Sequence, residues 1–173
     1  NGEDLLPDLA LGRLSAATLA EAQAAVQKIL DFETAGLALD GKAVLVADNP
    51  DSAGDFEANQ DDVASILGSR PVERIYLGQA ASPAAAKAAV MAAFNAGASL
   101  VSYVGHGSSG LWATEGLLRS PDVAALAPQP RQPLVLTMTC SNGYFLSPYA
   151  NSLSERLALT AGKGAIAVFS PSG

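Results

Sequence analysis

Five short apolar runs constrain this chain most: Lys42–Ala47, Arg74–Leu77, Leu100–Val104, Leu134–Thr139 and Ala165–Phe169. Each has the length of one strand, and helical stretches lie between them. Parallel neighbours need a crossover, and the crossover helix covers a face of the sheet. The alternation therefore predicts an α/β domain with a mostly parallel sheet and helices on both faces.

The connecting segments carry their own start and stop signals. Thr18-Leu-Ala-Glu21 has capping-box spacing and predicts a helix from about Ala16 to Thr34, with apolar positions Leu19, Val26, Ile29, Leu30 and Phe32 and a stop at Gly36. A second helix is expected over Asn59–Leu67. Ser82-Pro83 opens a third, which ends near Asn95-Ala-Gly97. Ser120-Pro121 opens a short helix by the same device, and Asn151–Thr160 forms the last, closed by Gly162. Asn1–Gly12 reads as a lead-in with a candidate edge strand at Leu9–Leu11. Residues 13–173 read as one domain, a piece of a longer protein.

Composition narrows the function. A formal net charge of −7 argues against a nucleic-acid partner, which needs a basic face. The apolar runs are too short to span a membrane. A single cysteine excludes an internal disulfide and a multi-cysteine metal site, and a single histidine leaves a zinc site only carboxylates to add.

That histidine and that cysteine stand in matching positions. His106 closes Ser99-Leu-Val-Ser-Tyr-Val-Gly-His, and Cys140 closes Pro133-Leu-Val-Leu-Thr-Met-Thr-Cys; each run then gives way to a loop of Gly and small polar residues. Ligands of open α/β sheets bind at the carboxyl edge. Parallel neighbours lie about 4.8 Å apart, so two adjacent strand ends can present an imidazole and a thiol to one crevice. A nearby imidazole turns a thiol into a nucleophile. Gly107 allows close backbone approach to a substrate, and its N–H with that of Cys140 makes a candidate oxyanion hole. A buried, inert cysteine and a structural histidine are the plainer alternative.

At these residues the chain resembles the gingipain family of cysteine peptidases, within the caspase-like group. The resemblance is carried by Pro7-Asp-Leu-Ala-Leu-Gly-Arg-Leu14, Tyr103-Val-Gly-His-Gly-Ser108 with Trp112 following, Thr139-Cys-Ser-Asn-Gly-Tyr-Phe145 and Gly164-Ala-Ile-Ala-Val168. It implies a caspase-like three-layer sandwich with strand order 2-1-3-4-5, and residues 13–173 as its catalytic domain. It further implies a secreted or cell-surface endopeptidase acting on protein or peptide substrates through a thioacyl-enzyme. Cys140 would attack, and His106 would protonate the leaving amine. Other segments of a longer precursor are the implied partners.

Such enzymes often orient the histidine with an acid. Asp48, at the end of the first strand, is the candidate, with Asp51 as runner-up; a turn or capping role is the alternative for Asp48. Gingipains cleave after Arg or Lys, and Glu57, or Asp55, lies where the acidic residue of that pocket is expected. A solvated acidic helix start is the plainer reading of the same cluster. Asp51 and Asp55 are also candidate ligands for a structural calcium; no other cofactor is implied. Trp112 either walls the substrate pocket or packs under the His loop. Tyr144 and Phe145 read as packing residues, and Arg13 as a partner in a structural ion pair. Three rivals remain: a sortase-like transpeptidase of the same family, a caspase-like module without catalysis, and a flavodoxin-like nucleotide-binding domain. The acidic loop Asp48–Asp55 argues against the last, because it would repel phosphate.

Overall fold

A computed structural model describes residue 9, residues 11–129 and residues 131–173. Five strands form one parallel sheet: β1 (Ala43–Ala47), β2 (Val72–Tyr76), β3 (Leu100–Val104), β7 (Leu134–Met138) and β8 (Ala167–Phe169), in the order β2-β1-β3-β7-β8. Taken in chain order these are strands 2-1-3-4-5, the caspase-like arrangement. β1 and β3 lie inside the sheet, and all five residues of β1 are buried.

Alternate side chains of β1 face different partners. Val44 and Val46 join the larger core with α3 (Pro83–Asn95), α4 (Asp122–Ala125) and α5 (Leu153–Leu159). Leu45 and Ala47 pack against α2 (Phe56–Ile66) through Phe56, Val63 and Ala64. Gln60 of α2 is fully buried, and its amide donates to the carbonyls of Val46 and Ser102, stitching the helix to β1 and β3.

The caps written in the sequence form. Thr18 and Glu21 make the capping box of α1 (Leu19–Thr34), and Ser152 with Glu155 make that of α5. Ser82 caps α3 with Pro83 following, and Gly36, at φ +60°, ends α1 where a Cβ would be strained. The second helix begins at Phe56, ahead of the expected Asn59, because the Asp55 side chain accepts from the Ala58 N–H and starts the turn there. Ser120 does not cap α4: its hydroxyl turns to the Gly110 carbonyl, and Pro121 takes the cap position. Unforeseen was a small three-stranded sheet after β3, made of β4 (Gly107–Ser108), β5 (Leu111–Trp112) and β6 (Leu118–Arg119). The edge strand expected at Leu9–Leu11 falls partly outside the described residues; Leu9 and Leu11 themselves are exposed and belong to no strand.

Helix α1 departs from its apolar pattern. Leu19, Val26 and Leu30 are exposed, whereas Ala25 and Lys28 are buried. The Lys28 ammonium donates to the carbonyls of Leu157, Ala158 and Lys163. These include the last carbonyls of α5, which lack helical partners and carry the negative end of its dipole. Burial pushes the Lys28 ammonium down to about 8.

Lys28→Met should lower stability by about 2 kcal/mol, because buried acceptors lose their donor. The unfolded chain holds this proton up to the ordinary lysine range, while the folded chain releases it near 8. Stability contributed by Lys28 therefore rises with pH between those values. Urea unfolding across that window should show the gap between wild type and variant widening with pH.

Candidate active site

Three strand ends build the carboxyl edge. Asp48 follows β1, His106 lies two residues beyond Val104 of β3, and Cys140 lies two beyond Met138 of β7; Val104 and Met138 are register partners. The pairing extends one step further, where Gly105 N–H donates to the Met138 carbonyl at 3.3 Å. His106 and Cys140 thus leave the sheet level with each other from adjacent strands. Both are exposed, and Cys140 is a free thiol.

Asp48 is almost fully buried and is not the ring's partner. One oxygen accepts from the Asn49 N–H and the other from the His106 backbone N–H at 3.1 Å. Burial raises its carboxyl above the ordinary range, opposed by those two N–H groups. Its role is to hold the backbone from which the histidine projects. The ring contact expected of Asp48 is made by Asp51, whose Oδ2 lies 2.9 Å from His106 Nε2. A tight turn fixes Asp51: its backbone bridges to Gly54 in both directions, and Oδ1 accepts from the Ala53 N–H. That N–H, followed by the His106 ring, holds the Asp51 carboxyl below its usual range. The Phe56 ring meets the imidazole edge-on, with centroids 5.3 Å apart.

Two glycines make this packing possible. Gly105 has φ +152°, and a Cβ there would lie 2.3 Å from Asp48 Cβ and 2.7 Å from the Tyr103 hydroxyl. At Gly107 a Cβ would lie 2.5 Å from Thr139 Oγ1 and 2.8 Å from the Leu111 carbonyl oxygen. Gly107 is therefore closed in by Thr139, the residue before Cys140, and by the hairpin at Leu111. Among the described residues no acceptor takes the Cys140 N–H, while Ser141 and Gly143 donate to the carbonyls of Gly173 and Pro171.

The remaining candidates separate. Asp55 is the N-cap of α2, its carboxylate occupied by the Ala58 N–H. Glu57 lies in the first turn of α2, with Oε2 accepting from Gln79 Nε2 at 2.7 Å and Oε1 buried without a partner against Gly78. Asp51 and Asp55 each accept a backbone N–H on one carboxylate oxygen, and among the described residues no three His, Cys, Asp or Glu side chains gather as a metal site. Trp112 has no exposed surface and cannot wall a pocket: it stacks on Tyr103, with centroids 4.7 Å apart and planes 8° from parallel. Arg13 makes no ion pair among the described residues; its guanidinium lies 4.4 Å from the centre of the Phe145 ring. Tyr144 is partly exposed.

Sequence reasoning missed Phe56 and Tyr103, whose hydroxyl donates to the His106 carbonyl. Phe56 follows directly on the Asp55 cap, and recognising that cap would have brought it to the sheet edge. Tyr103 resembles any strand residue until the hairpin after β3 folds back over it.

Gly105→Ala forces a Cβ into Asp48 and a disfavoured φ on alanine, so unfolding in urea should show a loss of at least about 2 kcal/mol. The His106 N–H should also exchange with solvent faster relative to the core strands.

A family model described as Peptidase family C25 matches residues 1–173. No curated protein matches. Two solved structures share the fold. The crystal structure of the Arg-specific cysteine proteinase gingipain R (RgpB) is 22% identical over 91% of this chain and 38% of that one, with a TM-score of 0.72. The complex of the RgpB pro- and mature domains from Porphyromonas gingivalis is 21% identical over 95% and 41%, with a TM-score of 0.75. The chain therefore spans about two fifths of the length of these structures. A family match over the whole length, on a sheet of the expected order, shows that this chain belongs to peptidase family C25, the gingipain family of cysteine peptidases.

Proposed function

We propose that this chain carries the catalytic centre of a cysteine endopeptidase that works through a Cys140–His106 dyad. The observation that carries the reading is the level exit of the only cysteine and the only histidine from adjacent strands, with the imidazole braced by Asp51 and Phe56. With Nε2 engaged by Asp51, Nδ1 is the nitrogen left to exchange a proton with the thiol. Transfer of that proton gives a thiolate and an imidazolium, which the Asp51 carboxylate stabilises.

The Cys140 sulfur then attacks the scissile carbonyl, and the oxygen takes the electron pair. The N–H groups of Cys140 and Gly107 receive that oxyanion. Collapse breaks the C–N bond, His106 passes its proton to the departing amine, and a thioester remains. A water attacks the thioester after losing a proton to His106, releasing the acid and restoring the thiol.

Selectivity for a basic P1 residue belongs to the same proposal. Glu57 stands beside Phe56 at the carboxyl edge, with one carboxylate oxygen held only by the neutral Gln79 amide. A P1 guanidinium or ammonium displacing that amide would gain a charged partner. The catalytic domain spans residues 13–173, with 1–12 as its lead-in, in an extracellular or surface protein whose further segments complete the substrate cleft. No described helix is long and apolar enough to cross a membrane.

Peptidyl chloromethyl ketones carrying Arg, Lys, Asp, Asn or Leu at P1 test this reading. The Arg and Lys probes should label Cys140 fastest, and His106→Ala should slow them at least about 100-fold. Glu57→Gln should bring the Arg and Leu probes closer together in rate. Equal, slow labelling of native, His106→Ala and denatured protein would discard the peptidase. With a cleavable peptide and an added amine, a free acid product supports hydrolysis, and a new amide supports the transpeptidase instead.

A further inference from the structure

One side chain outside the reacting groups spans both loops that present them. Asn142 is fully buried two residues after Cys140. Its Nδ2 donates to the Ser108 carbonyl at 2.8 Å and the Leu111 carbonyl at 3.5 Å, and its Oδ1 accepts from the Trp112 indole N–H at 3.0 Å. The path continues to the histidine. Trp112 stacks on Tyr103, and the Tyr103 hydroxyl donates to the His106 carbonyl and accepts from the Ala113 N–H. The Asn142 carbonyl in turn accepts from the Ser154 N–H at the start of α5, and Leu153 N–H donates to Ser109 in the hairpin.

Backbone strain collects at both ends of this connection. Among the described residues, the non-glycine residues with left-handed backbone are Ala113, at φ 53°, and Ser141, at φ 52°. Ala113 follows Trp112, and Ser141 lies between Cys140 and Asn142. Such conformations disfavour residues with a Cβ and persist where the surroundings over-determine them. Here the surroundings are the Trp112–Asn142 bond and its continuation through Tyr103.

We infer that Asn142 is a positioning residue, which fixes the Cys140 loop against the His106 hairpin and so sets the thiol in reach of the imidazole. The inference rests on the Cys140–His106 reading above. Asn142 touches neither reacting group; it acts through the backbone of its own loop and through Trp112 and Tyr103. Its amide supplies a donor and an acceptor together, and alanine supplies neither.

The test is the labelling of Cys140, in the full chain, by the peptidyl chloromethyl ketone that wild type prefers. The limiting rate of thioether formation is separated from the probe concentration giving half that rate. Asn142→Ala should lower the limiting rate about 10- to 100-fold, the cost of a displacement near 1 Å, and leave the half-saturating concentration within about twofold. Adding His106→Ala to Asn142→Ala should then slow labelling far less than His106→Ala slows wild type, because residues acting as one unit are non-additive. A purely structural role would leave the two effects multiplying. Trp112→Phe keeps a ring on Tyr103 but removes the indole donor, and should lower the limiting rate in the same direction; it carries the test if Asn142→Ala fails to fold. If neither variant changes the limiting rate while His106→Ala does, the positioning role is overturned and the dyad stands. If His106→Ala leaves the wild-type rate unchanged, the dyad fails and the role of Asn142 falls with it.

Discussion

The site depends on the register of β3 between β1 and β7. Side chains alternate along a strand, so a slip of one residue moves every side chain of β3 to the opposite face. Tyr103 would leave the larger core, where its ring meets Trp112, and Gly105 would no longer be the residue packed against Asp48. Register is held from both sides: Val46 pairs with Tyr103 on one edge and Thr137 with Tyr103 on the other. Burial on both faces makes a slipped pairing costly, because β1 and most of β3 have no solvent-facing side to exchange. The positions of His106 and Cys140 are inherited from this pairing before any loop contact is made.

The acidic segment after β1 is a second organising element, and its carboxylates divide the work. Buried Asp48 holds backbone; exposed Asp51 meets the imidazole; Asp55 starts a helix; Glu57 engages a neutral amide on the next strand's exit. Four acids within ten residues would repel one another on an open surface. Separate backbone and side-chain donors allow them to sit side by side here, each with its own partner. A cluster that looks like diffuse negative charge is a set of distinct local bonds.

Legibility in the sequence followed the range of the interactions. The strand and helix segments and the caps at Thr18, Ser82 and Ser152 are marked by residues close together in the chain, and these were readable. So were the strand-end positions of His106 and Cys140, because apolar runs mark where strands stop. The partner of the imidazole was harder: Asp48 and Asp51 lie in one loop, and their assignment depends on the turn closed by Gly54. Lys28 inside and Leu30 outside reverse the apolar pattern of α1, since the carbonyls that bind Lys28 come some 130 residues later in the chain. Trp112 kept two readings for a related reason. The hairpin that buries it consists of two-residue strands, too short to leave a periodic signal.

The junction of Tyr103, Trp112 and Asn142 has a spectroscopic consequence. Trp112 is the single tryptophan of the chain, so all indole emission originates where the His and Cys loops meet. Its ring has no solvent-exposed surface, its N–H is bonded to an amide, and one face lies on a phenol. Loosening of those loops would therefore alter emission wavelength and quenching even while the sheet beneath stays folded. The protein carries an unlabelled optical reporter of cleft integrity, separate from the backbone signal that reports its sheet and helices.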